Sequence, residues 1–163
     1  MTAFRNILAI PALALIFCGP ARAGDEASGN VTMNTAKTTI RHSWMVRARD
    51  EMDAQRTILR IYLSSVDIGQ SIKACKTLSC ADAALQDGAM VDYGDASHLG
   101  YAVRLNGGKV QYSGGTDADA FTLTTQAPDR LAGKLLIDDR GRGGAHVEAT
   151  FDVDVSNHFD DAP

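Results

Sequence analysis

From residue 89 to residue 155 the chain runs in short apolar–polar alternations, each closed by a cluster of glycine and small polar residues. A period of two places alternate side chains on opposite faces, the pattern of a half-buried strand and not of a helix. The runs fall at 89–93, 99–105, 109–113, 121–125, 130–138 and 145–155, with turns at Asn106-Gly107-Gly108, Ser113-Gly114-Gly115 and Gly141-Arg142-Gly143-Gly144. Regular short strands with these turns predict a mainly β fold: an antiparallel β-sandwich, or a partly open barrel.

The last two runs predict a hairpin. A turn centred near Gly141 places Leu131, Gly133, Leu135 and Ile137 beside Phe151, Ala149, Val147 and Ala145. The same register sets Lys134 opposite Glu148 and Arg130 opposite Asp152, pairs that contribute about 0.2 to 1 kcal/mol each. A slip of one residue would turn every apolar side chain to the wrong face.

Two further strands precede the glycine-rich half. Residues 42–50 set Trp44, Val46 and Ala48 on one face and Arg47 and Arg49 on the other, and residues 57–63 set Leu59, Ile61 and Leu63 against Ile58, Arg60 and Tyr62. Between them and the later strands lie one or two short helices near residues 68–87, read as 68–74 and 81–86 and expected at one end of the sheets. Cys75 and Cys80 fall at their junction. In one continuous helix, residues five apart rise about 7.5 Å along the axis, more than a bridge tolerates when it wants Cα atoms within about 7 Å. A disulfide therefore requires one helix to end and another to begin, with Ser79 as the expected N-cap. Redox motifs usually separate their cysteines by two residues, which favours a structural bridge here.

The first 23 residues read as a cleaved signal peptide. A head with one positive charge, Arg5, precedes the apolar run 7–18, too short to span a bilayer, and Ala21-Arg22-Ala23 forms a small-residue cleavage site between Ala23 and Gly24. Cys18 would be the acylated residue of a lipoprotein, but bulky Phe17 stands before it, which favours soluble release to the periplasm or medium. Cleavage would leave 140 of the 163 residues, the length of one ordinary domain. Residues 24–30 are expected to be a flexible mature N-terminus, 31–158 a single β-rich domain and 159–163 a tail.

Arg5 and Arg22 leave with the signal, so 14 basic residues stand against 20 acidic ones, a formal charge of −6. That balance argues against nucleic acid, which demands a concentrated basic surface, and against an anionic membrane. No membrane span is expected after signal removal, and no cofactor is implied. The chain has no Gly-x-Ser-x-Gly or His-Glu-x-x-His pattern and no Asp-x-Asp-x-Asp-Gly loop with a distal Glu, although aspartate is abundant at predicted turns. His42 and His98 stand alone.

Two residue sets remain. His146, Glu148, Asp152 and Asp154 alternate along the last strand and would share one face, where a divalent metal is conceivable; a solvated face with Lys134 and Arg130 as partners explains the same residues. Arg47, Arg49, Arg60 and Tyr62 would form one exposed patch if their strands pair as a hairpin, and arginine and tyrosine are enriched where proteins bind each other. The reading that follows is an exported, non-enzymatic binding, accessory or inhibitor module for a protein partner. A metal-assisted hydrolase using His146 and a structural or assembly component of the envelope are the alternatives. The bridge supplies the first test: replacing both Cys75 and Cys80 by Ala is expected to lower the unfolding free energy by about 2 kcal/mol in urea titrations.

Overall fold

The computed structural model describes residues 26–50, 53, 55–94 and 98–159. The strands are β1 (Glu26–Met33), β2 (Ala36–Arg49), β3 (Thr57–Ser64), β4 (Gly88–Tyr93), β5 (His98–Leu105), β6 (Val110–Asp117), β7 (Phe121–Ala127), β8 (Arg130–Asp138) and β9 (His146–Phe159). Two short helices, α1 (Gly69–Ala74) and α2 (Leu78–Ala84), connect β3 to β4. The nine strands form one sheet in the order β6-β5-β4-β3-β2-β1-β9-β8-β7, curled into a half-barrel. This is the mainly β fold with few short helices that the alternation predicts, in its partly open form: one continuous curled sheet.

The N-terminal boundary differs from the expectation. Residues 26–30 are part of β1, which lies between β2 and β9 and pairs antiparallel with both. Their small polar side chains carry no apolar period, and their order comes from backbone ladders on two sides. Beyond the start of β1, its two neighbours meet directly in parallel, Met45 opposite Val155 and Ala48 opposite Phe159. Phe159, expected in the tail, is buried at the end of β9. The Ala23–Gly24 cleavage site, Cys18 and residues 160–163 lie outside the described residues.

The sheet is apolar on both sides of its middle. The inner face packs Ile40, Met45, Ile61, Val91, Leu135 and Phe151 into the main core. On the outer face, Trp44, Val46, Ala48 and Tyr62 meet Ile72, Leu78 and Leu85 from the helical segment. The helices thus cover the outside of the sheet and do not plug an end, and the near-continuous burial of β3 follows. Cys75 and Cys80 are bridged with their Cα atoms 5.5 Å apart across the break between the helices. Thr77, not Ser79, caps α2, its hydroxyl accepting from the Cys80 N–H at 3.3 Å. The helix starts earlier than expected, so Ser79 lies inside it. Asn157 of β9 donates to the carbonyls of Ile72 and Cys75 and so ties down the end of α1.

The final hairpin forms two residues out of the expected register. Leu131 faces Val153, Gly133 faces Phe151 and Ile137 faces Val147. The connection is longer than expected, because a 3-10 turn at Arg140–Arg142 and a left-handed Gly143 move its centre onward. An even shift keeps every side chain on its face, so the apolar match survives while the charge pairs change. Lys134 now faces Thr150, and Arg130 lies directly opposite Asp154 but reaches diagonally to Asp152. Gly114 and Gly115, expected as a turn, lie within β6, where a Cβ on Gly114 would sit 2.9 Å from the rings of both Tyr101 and Tyr112.

Gly133 lies opposite Leu123, beside the bulge in β7 between Leu123 and Thr125. A Cβ there would stand 2.3 Å from the Thr122 carbonyl oxygen, so only glycine lets the two backbones approach. Gly133→Ala is expected to destabilise the protein by about 2 to 3 kcal/mol in chemical denaturation. Gly141→Ala, where an added Cβ meets nothing within 4 Å, is expected to change stability by less than about 0.5 kcal/mol.

Candidate functional site

The registers of β2, β3 and β4 decide which charged residues meet. Arg60 lies opposite Val46 on one side and Asp92 on the other, and opposed residues share a face. That face is the outer one, beneath α2. Arg60 donates through Nε and Nη2 to both oxygens of Asp92, at 2.7 and 3.1 Å, and through Nη1 to Asp82 Oδ2 at 2.8 Å. The second Asp82 oxygen accepts from the Tyr62 hydroxyl at 2.7 Å. Arg104 Nη1 donates to the backbone carbonyls of Asp82 and Leu85, at 2.7 and 3.3 Å, which satisfies the C-terminal end of α2. One carboxylate, Asp82, therefore joins the helix to two side chains of β3.

The side chains of Arg60 and Asp82 are only 11% and 15% exposed. Burial works against the Arg60 charge, but Asp92 and Asp82 more than offset it and hold the guanidinium in its charged form. Burial, with the Asp82 carboxylate beside it, pushes the Tyr62 phenol far above its ordinary range. Arg60 stays cationic and Tyr62 neutral across physiological pH, so neither exchanges protons there.

Beside this network the outer face opens into a groove of about 370 Å³. Asp50 and Arg56, paired to each other, form part of its rim with Arg60, Asp82 and Asp92. Its floor is bare: Gly100, Ala102, Ser113 and Gly114 contribute almost no side chain. The Asp92 carboxylate overhangs that floor, 3.2 Å from where a Cβ of Gly100 would lie. The groove therefore combines fixed, hydrogen-bonded charges with a flat floor that another backbone can approach closely.

The arginine and tyrosine patch expected from sequence does not form. β2 and β3 do pair as a hairpin, but Arg47 faces Leu59 and Arg49 faces Thr57, on the side opposite Arg60 and Tyr62. Period-two geometry separates them: in this register odd positions of one strand meet odd positions of the other. Arg47 reaches the β7–β8 turn, donating to the Pro128 carbonyl at 2.6 Å and to Asp129 at 3.1 Å. Tyr62 is fully buried. Asp82 and Asp92, which position Arg60, were missed by the sequence reading. Opposite charges within two adjacent, largely apolar strands, Arg60 in β3 and Asp92 near the end of β4, were the available signal.

The acidic face of β9 is likewise spread out. Asp152 accepts two hydrogen bonds from Arg130, at 3.0 and 2.7 Å. His146 Nδ1 stands 3.8 Å from Asp138 and its Nε2 4.0 Å from Glu148. Asp138 is itself committed to Arg140, whose hydrogen bonds hold its carboxyl well below the usual range, at about 2. Among the described residues no three His, Cys, Asp or Glu side chains gather as a metal site.

Asp82→Ala would leave the buried Arg60 and Tyr62 hydroxyl short of a partner each. The expected cost is about 3 kcal/mol in urea denaturation, with faster amide exchange across Leu78–Ala84 as α2 loosens. No protein family, curated protein or solved structure matches the chain.

Proposed function

We propose that the chain is an exported, non-enzymatic binding module that recognises a protein partner in the envelope or medium through the groove on the outer face of β3–β6. The observation that carries this reading is the buried Arg60–Asp82–Asp92 network at the rim of a floor without side chains. Such a rim is preorganised: its charges are already oriented, so a ligand does not have to order them. The floor suits an extended peptide segment, whose backbone can lie close where Gly100, Ala102 and Ser113 leave room. The rim carries the carboxylates of Asp50, Asp82 and Asp92 against the guanidinium groups of Arg56 and Arg60, and the whole chain is net acidic at −4. A partner segment with a basic side chain fits this balance.

The test is affinity capture with the oxidised protein, residues 24–163, from the exported fraction of its own cells. Wild type and Arg47→Glu, a change on the opposite face, are expected to retain the same stoichiometric protein. Ala102→Arg, which fills the groove floor, is expected to weaken capture by about tenfold or more. Capture that survives Ala102→Arg undiminished would place recognition elsewhere.

A further inference from the structure

The two outer strands of the sheet are guarded very differently. Strand β7 carries a bulge between Leu123 and Thr125, an irregularity that spoils an edge for pairing. Strand β6 has no bulge in its pairing with β5, no proline, and no charge between Val110 and Thr116. None of its residues is buried. A cleft of about 850 Å³ borders its Gly115, Thr116 and Asp117 end. An eight-residue strand edge with these properties is a template for another strand.

The charges around β6 specify which strand. Exposed Lys109 immediately precedes it and exposed Asp117 ends it, with Ser113 midway between. A strand with a cation at one end and an anion at the other is its own complement when paired antiparallel. Centring a two-fold axis on Ser113 brings Lys109 of each copy opposite Asp117 of the other, giving two ion pairs per dimer. The same register sets Tyr112 opposite Gly114 and Gln111 opposite Gly115. A slip of two residues in either direction takes Lys109 of each copy out of line with Asp117 of the other. We infer that β6 is a self-association edge, through which two copies of this chain pair antiparallel with Lys109 facing Asp117 across the seam. In the dimer the two sheets become continuous.

Asp117 also lies 2.8 Å from His98 within its own copy, an exposed contact on β5. Because these charges are exposed, the association is weak, concentration-dependent and reduced by salt.

Sedimentation equilibrium of the oxidised protein over a wide concentration range is expected to show a reversible monomer–dimer equilibrium that shifts toward monomer as salt is raised. Lys109→Asp alone sets like charges against each other twice, as does Asp117→Lys alone, and each is expected to weaken dimerisation by about tenfold or more. An equimolar mixture of these two variants restores both opposite-charge pairs in the heterodimer, as does the double swap within one chain. Recovery of dimer in both cases is the expected result, and circular dichroism of each variant establishes that it remains folded. A protein that stays monomeric at its highest soluble concentration overturns the proposal. So does a dimer indifferent to the single changes, or a mixture that fails to associate.

Discussion

The backbone ladder that joins β1 to β9 holds the molecule together as one sheet. Strands β1 to β6 form one run of sequential neighbours and β7 to β9 another. Hydrogen bonding between these runs occurs where β9 meets β1 and, past the start of β1, where it meets β2. Ser28 opposite Thr150 brings together residues far apart in the chain. Such long-range closure is entropically costly and makes folding slow compared with local hairpins, so the apolar burial on the inner face must reward it. Val31, Val147, Ala149 and Phe151 provide that burial beside the seam.

Once the sheet is continuous, its middle must be covered on both faces. The inner face is covered by the curl of the sheet itself, through edge-on contacts such as Tyr93 with Phe121 and Phe121 with Phe151. The outer face needs separate elements, and two helices of six and seven residues are too short to be stable alone. They are held by the Cys75–Cys80 bridge, by Asn157 at the end of α1 and by Asp82 bonded to β3. The same Asp82 that secures α2 thereby sets the rim of the groove, so scaffold and candidate site share one interaction.

Much of the β architecture was legible from period-two alternation, because a buried inner face forces it: Leu131 to Ile137 and Val147 to Val153 show it plainly. The helix break was legible from the cysteine spacing. Three things were not. The membership of residues 26–30 in a central strand rests on backbone bonding, which small polar side chains do not advertise. The exact partners in the final hairpin depended on the conformation of its connection, which glycines leave open. The candidate site was hidden because its key carboxylates, Asp82 and Asp92, sit in different elements and acquire meaning only once β3, β4 and α2 are placed together. Arg60 stood on its correct face of β3, but it is buried, and Arg47 and Arg49, expected beside it, lie on the other side of the sheet.

The placement of β9, the last described strand, gives it an unusual importance. Losing a strand from an outer edge merely narrows a sheet. Here β9 is seventh from one side and third from the other, between β1 and β8. Until it emerges, the β1–β6 meander waits with β1 as an open border and the β7–β8 hairpin has nothing to join. A truncation just after β8 would therefore leave β1 and β8 without the strand that joins them, and the half-barrel would divide along its length.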